Sequence, residues 1–249
     1  MAGHSHWAKI KRAKAVTDAR RGKHWSKLSR AIIVAARIGG PDPTMNFALR
    51  YAIEAARDEN MPRDTIERAI KRGSGEGEAD SFIDMNYEGY APGGAAIFCT
   101  ALTDNRTRTA GEIRNLFEHR GGTLGASGCV AWMFTKRGVL NFAKAAASED
   151  RITEIAIDAG ADDVQAGEQG YEVSCPPEAF VAVRTAFEQA GLKPESAEIT
   201  MVASNNITLS GENAEKALKL IEALEDHDDI QKVYSNLDIS DEEAERLSG

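Results

Sequence analysis

The residue types that bind phosphate are concentrated at the start of the chain. The first thirty residues hold nine Lys or Arg against a single acidic residue, Asp18. Cations gathered on one surface bind a polyanion, because each phosphate contact releases counterions and the contributions add. The predicted chemistry of this segment is therefore association with a nucleic acid or with an anionic membrane surface.

Histidine and tryptophan side chains lie among these cations. His4 and His6 form an H-x-H pair that lacks a third metal ligand, so they are predicted to hydrogen-bond to phosphate or to base edges. Trp7 has no apolar partner at helical spacing and is the candidate for base stacking, whereas Trp25 falls on an apolar helix face and is predicted to be core. The candidate nucleic-acid-binding residues here are His4, His6, Trp7, Lys9, Lys11, Arg12, Lys14, Arg20, Lys23, Lys27 and Arg30.

A second group of cations follows farther along the chain. Four arginines are the only Lys or Arg between positions 73 and 135: Arg106, Arg108, Arg114 and Arg120. Arg106 and Arg108 open a predicted helix capped by Asp104 or Thr107, and they are candidates for a second nucleic-acid contact. Local charge balance with the neighbouring glutamates is an equally good explanation of these arginines.

The chain shows no pattern typical of catalysis or of cofactor binding. It has neither a nucleophile elbow nor an HExxH motif, and its glycine clusters match neither a P-loop nor a dinucleotide-binding fingerprint. Its three cysteines are far apart and suit a reducing cytosol. The longest apolar runs are six residues, whereas a membrane-spanning helix needs about 20. We therefore expect a cytoplasmic, non-enzymatic protein with no cofactor, no metal and no membrane partner.

The charge distribution divides the chain into two parts. Residues 1–72 carry a net charge of +9, whereas the whole chain of 249 residues carries -9. An acidic remainder repels phosphates, so a nucleic-acid partner must be met mainly through the N-terminal third.

The N-terminal third is predicted to be a mobile basic arm over 1–17 and a helical domain over 18–74. The first helix runs from about Asp18 to Arg37 and is stopped by a Gly-Gly-Pro sequence. The second is expected to start near Asp42 and Pro43, and a third ends at Gly73. The predicted apolar face of the second helix comprises Met45, Leu49, Ala52, Ile53 and Ala56.

Beyond a Gly-rich linker the periodicity changes to that of an α/β region. Strands are predicted at 82–90, 94–102, 123–134, 138–143, 162–166, 170–175, 195–203, 206–209 and 230–238. Helices are predicted at 107–120, 149–159, 177–190 and 213–226. The order within 138–203 is strand, helix, strand, strand, helix, strand, which is typical of a ferredoxin-like domain. The prediction is an α+β protein in which the small three-helix domain is followed by two ferredoxin-like α/β domains. The domain over 136–204 is inserted into the domain formed by 80–135 and 205–240.

Several short motifs together resemble one protein family along nearly the whole chain. They are MAGHSHWAKIKRAK at the start, AARIGGPDP at 35–43, NMPRDTIERAIKRG at 60–73, YEGYAPGG at 87–94, TDNRTRT at 103–109 and DDIQKVY at 228–234. These motifs are similar to those of the YebC/PmpR family. One departure is His6, where the family usually has Lys, which lowers the charge of the arm but keeps a hydrogen-bond donor.

The resemblance implies a helical N-terminal domain followed by two α/β domains. It also implies a cytoplasmic regulator of gene expression, because family members are described as DNA-binding transcriptional regulators. A mitochondrial relative is a translational activator of a cytochrome oxidase subunit, and bacterial members are linked to relief of stalled ribosomes. The implied partner is therefore DNA or, in the alternative, ribosomal RNA on the ribosome.

Overall fold

The structure is a computed structural model that describes residues 18–75, 82–167 and 170–240 together with Glu243 and Arg246. Side chains are described from Trp25 onward, and the predicted arm over 1–17 lies outside the described residues. The described residues form two compact units. One holds 18–129 with 210–235, and the other holds 130–209 with 236–240.

Three helices open the first unit, as predicted. They are α1 (Asp18–Gly39), α2 (Phe47–Asp58) and α3 (Arg63–Gly73). Their apolar faces meet in a core that includes Ile32, Leu49 and Ile66. The helix α3 ends at the predicted glycine, Gly73, which is buried where α3 meets α1. A Cβ atom there would lie 2.5 Å from the carbonyl oxygen of Ile33, so the close approach of the helices requires glycine.

The start of α2 differs from the prediction. The helix begins at Phe47, because Asn46 is its N-cap and accepts a hydrogen bond from the Leu49 amide at 3.0 Å. Asp42, predicted to start the helix, instead accepts bonds from the amide and hydroxyl of Thr44 at 2.8 and 2.7 Å. This turn keeps Met45 out of the helix. The prediction that Met45 is buried is wrong, since it is 85% exposed.

The remaining elements complete two sheet-containing regions. In chain order they are β1 (Ile83–Tyr90), β2 (Ala96–Thr103), α4 (Arg106–His119), β3 (Thr123–Leu124), a 3₁₀ helix (Ala131–Met133), β4 (Phe134–Ala143), α5 (Glu149–Asp158), β5 (Asp163–Ala166), β6 (Gly170–Cys175), α6 (Phe180–Gln189), β7 (Ser196–Ala203), β8 (Ile207–Thr208), α7 (Gly211–Glu225), β9 (Ile230–Ser235) and β10 (Leu237–Asp238). The α+β fold class is confirmed. No described helix has the length and apolar character needed to cross a membrane.

The sheet of the first unit is antiparallel and has the order β3-β1-β2-β9. The helices α4 and α7 contact each other beside it. Phe117 of α4 lies so close to β1 that a Cβ atom on Gly89 would be 2.7 Å from its ring. A Cβ atom on Gly122 would likewise lie 2.7 Å from the side chain of Leu220 in α7. The two helices therefore pack tightly enough on this sheet that glycine is required at both contacts.

The second unit contains an antiparallel sheet with the order β5-β6-β4-β7. The chain order of β4, α5, β5, β6, α6 and β7 confirms the predicted ferredoxin-like pattern for this stretch. Its core includes Leu140, Val173 and a pair of rings, Phe142 and Phe187, whose centroids are 4.4 Å apart. The short strands β8 and β10 pair in parallel in the same unit.

The strand predicted over 123–134 is mostly wrong. Only Thr123 and Leu124 pair with β1, and the chain then leaves the sheet. Gly128 has a φ of 87°, a left-handed conformation that interrupts a strand. The buried carboxylate of Glu88 accepts the Gly128 amide at 2.7 Å, and the Glu88 carbonyl accepts the Gly125 amide at 2.7 Å. These bonds replace the sheet ladder with a fixed loop.

Candidate nucleic-acid interface

The predicted nucleic-acid-binding residues fall into three groups in the structure. His4, His6, Trp7, Lys9, Lys11, Arg12 and Lys14 lie outside the described residues. Arg20 and Lys23 lie in α1, but their side chains are not among those described. The side chains of Lys27, Arg30, Arg106 and Arg108 are described, and all four belong to the first unit.

Lys27 and Arg30 turn toward the last residue of α7 and the segment that follows it. The Lys27 Nζ donates to the carbonyl oxygen of Glu225. The Nη1 of Arg30 donates to the carbonyl oxygen of Asp228 at 2.6 Å and to Oδ1 of Asp229 at 2.9 Å. The Arg30 guanidinium also lies 5.5 Å from the centroid of the Phe82 ring. Lys27 and Arg30, two of the candidate cations of α1, are thus held by groups of the protein itself.

Asp229 is the centre of this arrangement. Its side chain is 3% exposed, and its Oδ2 accepts bonds from Arg108 Nη2 at 2.6 Å and from the Thr109 hydroxyl at 2.7 Å. Burial alone would raise the pKa of Asp229, but the bonds from Thr109 and Arg108 and the charges of Arg108 and Arg30 outweigh it and lower that pKa. We call Asp229, Arg30, Arg108 and Thr109 the Asp229 cluster.

The start of α4 fixes the position of Arg108. Asn105 caps the helix by accepting the Arg108 amide at 3.0 Å, so the prediction of Asp104 or Thr107 as the cap is wrong. The extended backbone of Asn105 aims its side chain at the first turn, which is the geometry an N-cap requires.

Three carboxylates surround the Arg108 guanidinium. Besides Asp229, Asp104 lies 3.1 Å from Nη2 and Glu112 lies 3.7 Å from Nε. The hydrogen bond to Asp229 and its charge raise the pKa of Arg108. For Arg108, this environment favours local charge balance, one of the two explanations that the sequence left open, over a nucleic-acid contact. Arg106, two residues earlier, is exposed.

His227 extends the Asp229 cluster by hydrogen bonds. Its Nδ1 accepts the Asp229 amide at 3.1 Å, and its Nε2 lies 3.0 Å from Oε2 of Glu112. Ligand atoms of Glu112, His227 and Asp229 lie within 4.8 Å of one another, as in a metal site. However, both oxygens of Asp229 already accept bonds from cations or a hydroxyl. Three of the about four lone-pair sites of this carboxylate thus accept from groups of the protein, two of them cations, which favours a hydrogen-bonded network over a cation site.

Sequence reasoning did not single out Asp229 or His227. The only indication was that Asp229 lies in one of the motifs that carry the family resemblance. The local sequence around Asp229 gives no sign that this residue is buried, because its two arginine partners lie about 120 and 200 positions earlier in the chain.

The second unit presents a sheet face without aromatic residues. In β4 and β6 the side chains that alternate with the core residues Leu140 and Val173 are polar or aliphatic, and they include Arg137, Asn141 and Glu172. RNA-binding sheets of this architecture stack bases on aromatic residues at such positions. Among the described residues of this sheet, this face has none, so it offers no aromatic stacking surface.

Two family models match consecutive parts of the chain. The model of the "TACO1/YebC protein N-terminal domain" matches residues 5–76, and that of the "TACO1/YebC second and third domain" matches residues 82–237. The chain belongs to the TACO1/YebC family. The family resemblance read from the motifs is therefore confirmed.

Relatives within the TACO1/YebC family cover almost the entire chain. A protein of Rhodopirellula baltica named "Probable transcriptional regulatory protein" is 51% identical over 97% of this chain and 98% of its own. One of the same name from Geobacter sulfurreducens is 51% identical over 99% of this chain and 100% of its own. The crystal structure of a conserved hypothetical protein from Aquifex aeolicus has a TM-score of 0.79 at 46% identity, covering 90% of this chain and 93% of that one.

Proposed function

We propose that this protein is a non-enzymatic, nucleic-acid-binding regulator of gene expression that acts on DNA. The observation that carries the proposal is the full-length similarity to family members named as transcriptional regulatory proteins. The net charge of +9 over residues 1–72 supplies the electrostatic attraction that such a role requires.

The cysteine chemistry supports a non-enzymatic role. Burial raises the pKa of the thiols of Cys99, Cys129 and Cys175, so the reactive thiolate form is disfavoured at neutral pH. Together with the missing catalytic motifs, this argues for binding rather than for covalent chemistry.

The proposed phosphate contacts divide according to how each cation is already used. Arg30 and Arg108 have carboxylate partners in the Asp229 cluster, and Lys27 donates to a backbone carbonyl. We assign these three mainly to holding α1 and α4 to the segment after α7. The proposed contacts with nucleic acid are then the remaining candidates: His4, His6, Trp7, Lys9, Lys11, Arg12, Lys14, Arg20, Lys23 and Arg106.

The proposal is tested by cross-linking in cells, followed by sequencing of both the bound DNA and the bound RNA. Enrichment of promoter-proximal DNA over ribosomal RNA is the expected result. A variant lacking residues 1–17 serves as the control, because it should lose the enrichment while keeping the described fold. Recovery of ribosomal RNA without DNA enrichment would contradict the transcriptional role and would support a translation factor instead.

A further inference from the structure

An exposed apolar turn joins α1 to α2 and is not used by the Asp229 cluster. Ile38 is 78% exposed, Met45 is 85% exposed and Phe47 is 52% exposed. Three large apolar side chains exposed within one turn of the chain are a candidate binding surface. We call residues 38–50 the α1–α2 turn.

The α1–α2 turn has a fixed conformation. The buried Asn46 donates from Nδ2 to the carbonyl oxygens of Ala35 and Gly40, both at 2.8 Å. A Cβ atom on Gly39 would lie 2.6 Å from this amide, so the backbone can close on Asn46 only with glycine there. Because these contacts hold the residues on either side of Asn46, Met45 and Phe47 are presented without a large entropic cost on binding.

The helix α2 carries two arginines, Arg50 and Arg57, on the stripe that begins at Phe47, with one carboxylate, Glu54, between them. The guanidinium of Arg50 lies 5.4 Å from the centroid of the Phe47 ring, the geometry of a cation–π contact. Arg57 lies on the same stripe of the helix, two turns farther along, and is exposed. Neither arginine has an ion-pair partner among the described residues. Unlike Arg30 and Arg108, these cations are available to a phosphate.

We propose that Phe47, supported by Arg50, is a stacking site for an unpaired nucleobase, with Arg50 and Arg57 contacting the adjacent phosphates. The ring of Phe47 offers a π-face, and single-strand-binding proteins combine such faces with cations along the backbone path. The exposed Arg50 and Arg57 beside the ring favour a phosphate backbone over the apolar helix of a partner protein, because such a helix face offers no negative charge to them. The site rests on the proposed nucleic-acid-binding function and adds single-stranded segments to its targets.

The test is a fluorescence anisotropy titration of the full chain with two labelled probes. One probe is a 20-nucleotide oligothymidine, and the other is an abasic oligomer of the same length, which keeps the phosphates but has no bases. The variant Phe47→Ala should bind oligothymidine about tenfold more weakly, the typical effect of losing one stacked base. Its affinity for the abasic oligomer should equal that of the wild type, because no base is there to stack.

Three further variants make the test specific. Val181→Ala removes an apolar side chain of the second unit that is equally exposed, at 53%, and should leave both affinities unchanged. Phe47→Trp keeps a π-face and should bind oligothymidine like the wild type. Phe47→Leu keeps an apolar side chain without a π-face and should bind it about tenfold more weakly, like Phe47→Ala.

Two outcomes would overturn the stacking site, and they are distinguishable from failure of the proposed function. If Phe47→Leu or Phe47→Ala bound oligothymidine like the wild type, the stacking site would be contradicted, whereas the proposed nucleic-acid binding would stand. That result would indicate an apolar protein partner for the turn. If the wild type bound neither probe at low salt but bound duplex DNA, the stacking site alone would be contradicted. If it bound neither the probes nor duplex DNA, the proposed function would be contradicted as well.

Discussion

The Asp229 cluster and the α1–α2 turn lie in the same unit and use arginine in opposite ways. In the cluster, Arg30 and Arg108 converge on one carboxylate that is 3% exposed. At the turn, Arg50 lies over an exposed phenylalanine ring and no carboxylate is paired with it among the described residues. In the cluster the arginine charges are paired with a carboxylate of the protein, whereas at the turn the arginine charge remains available to a ligand.

This difference shows why a count of cations is an incomplete measure of a binding surface. Lys27, Arg30 and Arg108 contribute to the positive charge that the sequence reveals, yet each donates to an acceptor of the same unit. A paired cation must lose its partner before it can gain full benefit from a phosphate, so its net contribution to binding is small. The position of the acceptors, not the number of cations, identifies the available surface.

The largest effect is expected from Asp229→Ala. The change removes the carboxylate that accepts from the mostly buried guanidinium of Arg30 and from the Thr109 hydroxyl, and leaves them the carbonyl oxygens of Asp228 and Asn105. We expect the free energy of unfolding to fall by about 3 kcal/mol, the low end for breaking a buried ion pair because Arg108 remains partly hydrated. Urea unfolding followed by circular dichroism measures this loss.

Two controls compare the cluster with its surroundings. Asp228→Asn changes the adjacent exposed carboxylate and should alter the free energy of unfolding by about 0.5 kcal/mol or less. Phe47→Ala, at the turn, removes a half-exposed ring and should cost about 1 kcal/mol or less. If Asp229→Ala were no more destabilising than these controls, the cluster would not be a structural centre.

A smaller effect is expected from acid. The pKa of Asp229 is lowered in the folded protein, so its stabilising contribution is complete above the unfolded-state pKa of about 3.9 and is lost as the pH falls through the folded pKa. We expect the difference in unfolding free energy between wild type and Asp229→Asn to be constant between about pH 5 and 7 and to shrink below about pH 4. Urea unfolding at a series of pH values measures it; a difference that grew on acidification would contradict the assignment.

Much of the fold could be predicted from the sequence because its patterns are local. The three N-terminal helices and the ferredoxin-like order of the second unit follow from apolar periodicity, which each segment carries in itself. The predictions failed where a side chain competed with the expected element. Asp42 forms a turn with Thr44 instead of opening α2, and Glu88 holds the loop at Gly128 in place of the rest of a strand.

The site was less predictable than the fold. The sequence identified the basic segment and offered both explanations of Arg108, but the choice between them depends on Asp229, which is distant in the chain. Met45 was assigned to the core by helical spacing, and its exposure at the α1–α2 turn became apparent only with the N-cap at Asn46. Long-range pairing and the precise helix start are properties that a local pattern does not contain.

The salt dependence of binding tests the central claim most directly, namely that nucleic acid is contacted through the N-terminal basic region rather than through the Asp229 cluster. For the full chain on duplex DNA, contact with about six phosphates predicts a slope of roughly -5 in a plot of log affinity against log salt concentration. Deleting residues 1–17 should flatten this slope, because most of the proposed contacts are removed. An unchanged slope in the deletion variant would contradict the account.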